Sequence, residues 1–386
     1  MKKIVILGSS GSIGTQTQEI ILDNPNDFSL VGVSVGNNIE KLKETLKLFD
    51  SIKYVTVKEY DQYLLLKDEY PQINFYYGDE GLISLINECE CDLVVNALVG
   101  FVGFLPTFYV VKKGIDLALA NKESLVVGSS LIKKELKTSS TKIFAIDSEH
   151  CALSKCLEGK NKNDVKNLVL TASGGSFRNL SKDDLKTVTL QDALKHPSWS
   201  MGNKITIDSA TMMNKGFEII EAMFLFDFPV DKIKVLLHDE SIIHSLVEFN
   251  DHSFSCDIGP TDMKIAISYA LYENNYHNVN VNDLDFESLN GLHFRKFDKE
   301  KYPCLELAYQ AIKLGGSAPC ALNGANDAAV NAFLQGKISF LEIAEVIKYC
   351  LDNHEVVLEP NCEDLVRINS WAKNICEEYI RREKEC

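Results

Sequence analysis

The sequence lacks the features that mark several large classes of protein. Its 40 lysine and arginine residues are outnumbered by 55 acidic residues, which leaves a formal charge of -15 at pH 7. Nucleic acids and anionic membranes attract basic surfaces, so neither is an expected partner. The eleven cysteines include no C-x-x-C spacing, and we find no secretory signal, internal repeat or low-complexity tract. We therefore expect a cytoplasmic globular protein with reduced thiols.

An uninterrupted apolar segment of membrane-spanning length is also missing. The stretch LVVNALVGFVGFLPTFYVV comes close in length, but Asn96, two glycines and Pro106 interrupt it. A buried strand followed by a loop and a helix fits this pattern better than a membrane span. The sequence therefore predicts no membrane partner.

Short apolar runs indicate an α/β fold. The first third of the 386 residues alternates β-branched runs with amphipathic segments, which is typical of a doubly wound parallel sheet. After residue 147 the predicted strands follow closely: NLVLTASGG, KITIDSA, KVLLH, HSLVEFND and HSFSCDIG. Beyond about residue 300 we predict helices, with a capping box formed by Ser339 and Glu342. The last helix carries an apolar stripe of Leu365, Ile368, Ala372, Ile375 and Tyr379.

A glycine-rich loop follows the first predicted strand and opens a helix. In ILGSSGSIGTQTQEII the glycines are Gly8, Gly11 and Gly14. Glycines permit a tight turn close to a diphosphate, and the helix N-terminus supplies free amides, so the pattern favours a dinucleotide site over a plain turn. After the second strand, the chain has Asn37 and Asn38 where an NAD enzyme usually carries an acidic residue. This favours NADP, although no arginine is present there.

Polar side chains follow the apolar run in FAIDSEHCAL. On an extended chain the carboxylates of Asp147 and Glu149 would point to one side and repel unless something positive lay between them. With Glu218 they would form a hard-oxygen site suited to Mg²⁺ or Mn²⁺. The alternatives are a solvated strand end for the first two, an exposed helix position for Glu218, and Glu221 as a competing ligand.

Other segments supply groups for an anion and a lid. Hydroxyls, an amide and an ammonium suited to a phosphate occur in TASGGSF and DSATMMNK: Ser173, Ser209, Asn214 and Lys215. Lys122 in LANKES lies where parallel sheets bind ligands, or else belongs to a solvated loop. The stretch KHPSWSMGNK, with His196, Trp199 and Met201, is interpreted as a lid or as a loop anchored by its tryptophan.

Together these residues resemble the 1-deoxy-D-xylulose 5-phosphate reductoisomerase family. GSSGSIG, LANKES, DSEH, TASGG, HPSWSMG, DSATMMNKGFEIIEA and NGANDAAVNAFL occur in the family's order along nearly the whole chain. The resemblance implies a homodimer whose subunits contain four segments. These are an NADPH-binding Rossmann-like domain over 1–147, an α+β catalytic domain over 148–274 with a lid at 195–203, a connector over 275–299 and a C-terminal α-helical domain over 300–386.

The resemblance also implies a reaction and a set of site residues. The sugar phosphate 1-deoxy-D-xylulose 5-phosphate would be rearranged and then reduced by NADPH to 2-C-methyl-D-erythritol 4-phosphate, in non-mevalonate isoprenoid biosynthesis. The implied metal ligands are Asp147, Glu149 and Glu218, and the implied catalytic residues are Lys122 and Glu149. The implied substrate contacts are Lys122, Ser148, Glu149, Ser173, His196, Trp199, Ser209, Asn214, Lys215 and Glu218. The implied cofactor contacts are Gly8, Ser10, Gly11, Ser12, Ile13, Gly36, Asn38, Asn121, Glu123 and Gly202.

The chain departs from the family pattern at several positions. Serines occupy the glycine loop where threonine is usual, and Asn37 replaces a common lysine, which weakens the case for strict NADPH selectivity. Asp239 and Glu240 stand where relatives tend to have proline and glutamine. Two rival hypotheses remain: a dehydrogenase of another small substrate, which EDTA would spare, and a catalytically silent dinucleotide sensor.

Overall fold

The computed structural model describes residues 1–197, 199 and 202–385. The chain divides into two compact units, which we describe separately. Unit 1 comprises residues 1–124, 132–151 and 262–282, and unit 2 comprises residues 125–131, 152–261 and 283–386.

The regular elements are labelled in chain order. The strands are β1 (Lys2–Leu7), β2 (Phe28–Ser34), β3 (Tyr54–Val57), β4 (Asn74–Tyr77), β5 (Leu93–Asn96), β6 (Asp116–Leu119), β7 (Ile143–Ala145), β8 (Val165–Ala172), β9 (Ile233–His238), β10 (Ile243–Phe249), β11 (Phe254–Ile258) and β12 (Phe294–Arg295). The helices are α1 (Ser12–Asp23), α2 (Ile39–Leu48), α3 (Tyr60–Glu69), α4 (Gly78–Glu88), α5 (Phe104–Lys113), α6 (Glu123–Leu136), α7 (Ser148–Leu157), α8 (Leu190–Ala193), α9 (Asn203–Thr211), α10 (Met213–Phe226), α11 (Met263–Leu271), α12 (Pro303–Leu314), α13 (Ala318–Leu334), α14 (Glu342–Asp352) and α15 (Cys362–Glu385).

Unit 1 is built on a seven-stranded sheet with the order β4-β3-β2-β1-β5-β6-β7. Every neighbouring pair is parallel. Ile4 and Ile6 of β1 pack in a core that also contains residues of α1, α2 and α11, while Val5 and Leu7 of the same strand are equally buried. Because β1 is buried on both sides, its sequence is a continuous apolar run. The predicted doubly wound sheet is confirmed, and its strand order reverses between β1 and β5.

Unit 2 contains a five-stranded mixed sheet with the order β11-β10-β8-β9-β12. Strands β8 and β9 are parallel, and the other neighbouring pairs are antiparallel. Leu168 and Val247 of this sheet pack in one core with Ile219 of α10 and Leu305 of α12. The predicted α+β character of this region is confirmed.

The C-terminal helices also follow the predicted pattern. The α15 positions Leu365, Ile368 and Ala372 are at most 5% exposed, and Ile375 and Tyr379 are half-buried, so the N-terminal part of the predicted apolar stripe is confirmed. The capping box is only half formed, since the Ser339 amide donates to the Glu342 carboxylate at 2.6 Å but α14 starts after Leu341. None of the described helices is both long and apolar enough to cross a membrane.

The interpretation of KITIDSA as a strand is wrong, because these residues form α9. Alternating β-branched residues mimic a strand, but the buried positions Thr206, Ile207, Ala210 and Thr211 recur at helical spacing. Two short strands, β4 and β12, were not predicted. The β12 strand lies within the predicted connector and pairs with β9 through Phe294 and Arg295.

Candidate active site

The loop between β1 and α1, where the sequence predicts a dinucleotide site, lies at the carboxyl edge of the unit 1 sheet. Gly8 has φ of 86°, and a Cβ added there would lie 2.6 Å from the Ala97 carbonyl oxygen, so only glycine fits. The Gly8 and Ser9 amides donate to the hydroxyl and carbonyl oxygens of Ser34 at 2.9 and 2.8 Å. Gly11 precedes α1 without a side-chain cap, which leaves the first-turn amides suited to an anion.

Other predicted cofactor residues of unit 1 also follow strands of this sheet. Two of them, Asn38 and Asn121, have side chains that make structural hydrogen bonds. Gly36 follows β2 and is exposed. Asn38 caps α2, because its Oδ1 accepts from the Lys41 amide at 3.1 Å. The buried Asn121 donates from Nδ2 to the carbonyls of residues 98 and 100, both at 2.9 Å, and to the Glu123 carboxylate at 3.1 Å. The side chains of Asn38 and Asn121 therefore stabilise the loops at this edge of the sheet. The remaining predicted residue, Gly202, precedes α9 in unit 2.

Asp147 is the centre of a buried polar cluster after β7. The Lys122 ammonium lies 2.8 Å from its Oδ2, and His150 Nδ1 lies 2.9 Å from its Oδ1. Oδ1 also accepts from the amides of Glu149 and His150 at 3.1 and 3.3 Å, so Asp147 caps α7. The expectation of an extended chain here is wrong, because α7 begins at Ser148, whose hydroxyl donates to the Glu149 carboxylate. Burial also excludes the solvated strand end for Asp147.

These contacts determine the ionisation of Asp147. Burial alone would raise the pKa of Asp147, but the Lys122 ammonium and the His150 imidazole outweigh it and hold that pKa well below its usual value. Asp147 is therefore a carboxylate at neutral pH. His150 was not predicted as a site residue, although its spacing three residues after Asp147, on what proves to be a helix, was a usable signal.

In unit 2, α10 brings together three of the predicted residues. The Asn214 amide and the Lys215 ammonium both contact the Glu218 carboxylate. Lys215 and Glu218 are 3% and 1% exposed. The predicted shared helix face is confirmed, and the alternative of an exposed Glu218 is wrong. Glu221, the competing metal ligand, is buried on the same helix.

His196 joins two predicted phosphate ligands in unit 2. Its Nε2 lies 3.0 Å from Ser173 Oγ and 3.1 Å from Ser209 Oγ, while Nδ1 accepts from the Trp199 amide at 2.9 Å. Because Nδ1 accepts, the neutral imidazole carries its proton on Nε2 and donates toward the serines. Gly175 lets the Ser173 loop approach α9, since it has φ of 68° and an added Cβ would lie 2.6 Å from the Ala210 Cα.

The imidazole of this cluster is neutral. Burial, together with the nearby Arg178 charge, lowers the pKa of His196 to about 4. Trp199 is half-buried, and the predicted lid residue Met201 lies outside the described residues. The closing motion of 195–203 stays a prediction.

Sequence reasoning missed a buried polar network that supports Ser209. The neighbouring Asp208 is 2% exposed, and its carboxylate accepts a hydrogen bond from Asn326 Nδ2 at 2.8 Å. The Lys204 ammonium lies 2.8 Å from the same carboxylate. Asn326 belongs to NGANDAAVNAFL, a motif noted for its resemblance but given no role. The network ties α9 to α13.

The structure also gives a role to Asp239 and Glu240. The Asp239 carboxylate accepts from Arg295 Nη2 at 2.6 Å and Nε at 3.0 Å. Glu240 accepts from the His293 amide at 3.0 Å and lies 3.2 Å from His238 Nδ1. The two acidic residues therefore hold β12 against β9.

A doubly wound sheet with a glycine loop at its carboxyl edge, and a cluster of hydroxyls and imidazole in a second unit, are typical of a dinucleotide-dependent oxidoreductase. Residues 4–129 match the 1-deoxy-D-xylulose 5-phosphate reductoisomerase domain, and residues 143–226 and 258–375 match two C-terminal domains of the same enzyme. The chain belongs to the 1-deoxy-D-xylulose 5-phosphate reductoisomerase family.

Full-length relatives support this membership. The chain is 47% identical over 383 residues to the 1-deoxy-D-xylulose 5-phosphate reductoisomerase of Geobacillus sp. (strain WCH70), covering 99% of both chains. It is 48% identical to that of Geobacillus kaustophilus (strain HTA426), covering 97% of this chain and 98% of the relative.

Solved structures agree with these matches. A crystal structure of DOX-P reductoisomerase in complex with NADPH, fosmidomycin and magnesium has a TM-score of 0.94 at 36% identity, covering 100% of this chain and 99% of the other. The enzyme from Zymomonas mobilis in complex with NADPH has a TM-score of 0.91 at 34% identity, covering 98% and 99% of the two chains.

Proposed function

We propose that this chain catalyses the NADPH- and divalent-metal-dependent rearrangement and reduction of 1-deoxy-D-xylulose 5-phosphate to 2-C-methyl-D-erythritol 4-phosphate, in the non-mevalonate route to isoprenoid precursors. The observation that carries the proposal is the 47% identity over 99% of both chains to a protein of that name. The buried site residues agree with it.

The residues present fit both cofactors. The left-handed turn at Gly8 and the uncapped start of α1 suit a diphosphate. The carboxylates of Asp147, Glu149 and Glu218 are hard-oxygen ligands, and we assign them to one Mg²⁺ or Mn²⁺. A cation bound there would polarise the substrate carbonyl, and bound NADPH would supply the hydride.

The protein's own groups would orient the substrate and stabilise charge. Lys122 would stabilise negative charge on a substrate oxygen, and Glu149, half-buried beside Ser148, would carry a proton. The remaining contacts would hold the phosphate and hydroxyls: Ser173, His196, Ser209, Asn214 and Lys215. Trp199 would exclude water from the site.

A spectrophotometric assay at 340 nm tests the function directly. We expect NADPH oxidation to require both the sugar phosphate and Mg²⁺ or Mn²⁺, and EDTA to abolish it. Parallel reactions with NADH measure the cofactor selectivity, and an Asn37→Lys variant tests whether Asn37 weakens it. Turnover that survives EDTA would favour a simple dehydrogenase, and NADPH binding without any oxidation would favour a dinucleotide sensor.

A pair of α10 variants tests the metal assignment. We expect Glu218→Gln to weaken Mn²⁺ binding and to remove most activity, because one charged ligand is lost, while NADPH binding stays intact. Glu221→Gln removes a carboxylate that is equally buried on the same helix. A larger loss of Mn²⁺ affinity in Glu221→Gln than in Glu218→Gln would show that Glu221, and not Glu218, is the third metal ligand.

We also propose a homodimer, a cytoplasmic location and the four-segment domain division, with the difference that α11, at the end of the catalytic segment, packs in the core of unit 1. Strand β11 is at the edge of its sheet and exposes Phe254 and Ile258 by 57% and 36%, which supports pairing with a second copy. No disulfide links the ten described cysteines to one another, which supports a reducing compartment.

A further inference from the structure

We propose that Arg178 is a specificity-determining residue for the phosphate group of the substrate, to which it presents a permanent positive charge. The inference rests on the function proposed above. It concerns a residue outside the predicted site, on the loop that begins at Ser173.

The predicted phosphate ligands supply little net positive charge by themselves. Ser173 and Ser209 are neutral, and His196 stays neutral because burial keeps its pKa near 4. Lys215 is a cation, but it is paired with the buried Glu218 carboxylate. A phosphate monoester carries nearly two negative charges at pH 7, and charge-assisted hydrogen bonds are the strong ones. A further cation near the two serines would therefore favour a phosphorylated substrate.

Arg178 lies close to this cluster. Its amide donates to the Gly175 carbonyl at 3.3 Å, and a Cβ added to Gly174 would lie 2.9 Å from the Arg178 Cβ. The arginine stem therefore packs against the same glycine turn that presents Ser173. The guanidinium field reaches His196, because after burial it is the second cause of the lowered pKa of that imidazole.

The loop around Arg178 is fixed by backbone acceptors. The Arg178 Nη1 donates to the Asp239 carbonyl at 2.8 Å. The Lys301 ammonium donates to the carbonyls of Phe177 and Arg178 at 2.9 and 3.0 Å, and the Tyr302 hydroxyl donates to Gly174 at 3.2 Å. The position of the guanidinium is therefore set before a ligand binds.

The charge of Arg178 is not neutralised by Asp239. That carboxylate is bonded twice to Arg295, so only its backbone carbonyl holds Arg178. Among the described residues no carboxylate lies within 4.0 Å of the Arg178 guanidinium nitrogens. A planar guanidinium with several N–H groups left for an anion matches phosphate geometry well.

Three variants test the role of Arg178. We expect Arg178→Gln to raise the KM for the sugar phosphate about tenfold with kcat changed less than about twofold, since binding and not chemistry is affected. Arg178→Lys should restore part of the affinity. Lys182→Gln removes an exposed cation a few residues further on and should leave KM unchanged. Equal KM values for Arg178→Gln and wild type would overturn the proposal, and so would equal effects of the Arg178 and Lys182 variants.

A binding measurement separates this inference from the proposed reaction. Inorganic phosphate should raise the melting temperature of the wild type more than that of Arg178→Gln, with circular dichroism confirming that both are folded. If the wild type binds phosphate through Arg178 but does not oxidise NADPH with the sugar phosphate, the reaction is wrong and the anion role stands. Equal shifts with phosphate would refute the anion role.

Discussion

At the residue scale, buried carboxylates in this acidic chain are paired with neighbouring lysines. Asp147 is paired with Lys122, and Glu218 with Lys215. Removing one member of a buried pair leaves the other as an uncompensated charge, which costs far more than the pair itself contributes. The same lysines therefore stabilise the fold and contact two of the carboxylates that we assign to a metal ion.

Lys122→Met should show this coupling in a stability measurement. The Lys122 and Asp147 side chains are 10% and 11% exposed, so we expect a loss of roughly 3 kcal/mol in the free energy of unfolding in urea. The double variant Lys122→Met with Asp147→Asn should lose less than the sum of the two single losses. Strict additivity would show that the two groups act independently.

His196 should make stability depend on pH. Its pKa is lowered to about 4 in the folded protein, against about 6.5 when unfolded. Between these values the unfolded chain binds a proton that the folded chain does not, so stability should fall as the pH drops through 6.5 and level off near 4. Urea unfolding at pH 7.5 and 5 should show a smaller decrease for His196→Asn than for the wild type. Identical decreases would contradict a buried neutral imidazole.

At the element scale, the sequence was sufficient to predict a strand where that strand is buried on both faces. The runs that became β1, β5 and β6 can be recognised without a distant partner, because their apolar residues are nearly continuous. The α9 segment was predicted to be a strand because its β-branched residues alternate. Its packing within unit 2 favours the helix instead. Strand β12 has two residues and is held by Asp239 and Glu240, which are more than fifty positions away.

The link between α9 and α13 should be visible in variants of Asn326. Asn326→Leu removes a donor from the buried Asp208 and should destabilise the protein by about 2 kcal/mol. Asn326→Asp places a second carboxylate beside Asp208 and should cost more. Asn331→Asp makes the same change at an exposed site of α13 and should be nearly neutral. Equal stabilities of the two aspartate variants in urea would contradict the link.

At the scale of the whole molecule, the site residues come from stretches that sequence spacing alone cannot relate. Ser173, His196 and Ser209 meet because a glycine turn, a loop and a helix converge in unit 2. The residue types could be predicted from the sequence because each suits phosphate chemistry. The sequence could not predict that the His196 imidazole contacts both serines, because hydrogen-bond partners depend on packing between elements.

Assembly can be tested at the exposed edge of the unit 2 sheet. An unprotected edge strand with apolar side chains favours pairing with another copy, and lysine is the residue that commonly blocks such pairing. We expect light scattering with size exclusion to give a dimer for the wild type and a monomer for Phe254→Lys. Leu358→Lys changes a leucine that is 77% exposed in the helical region and should leave the dimer intact. A monomeric wild type would refute the homodimer, and a dimeric Phe254→Lys would place its interface away from β11.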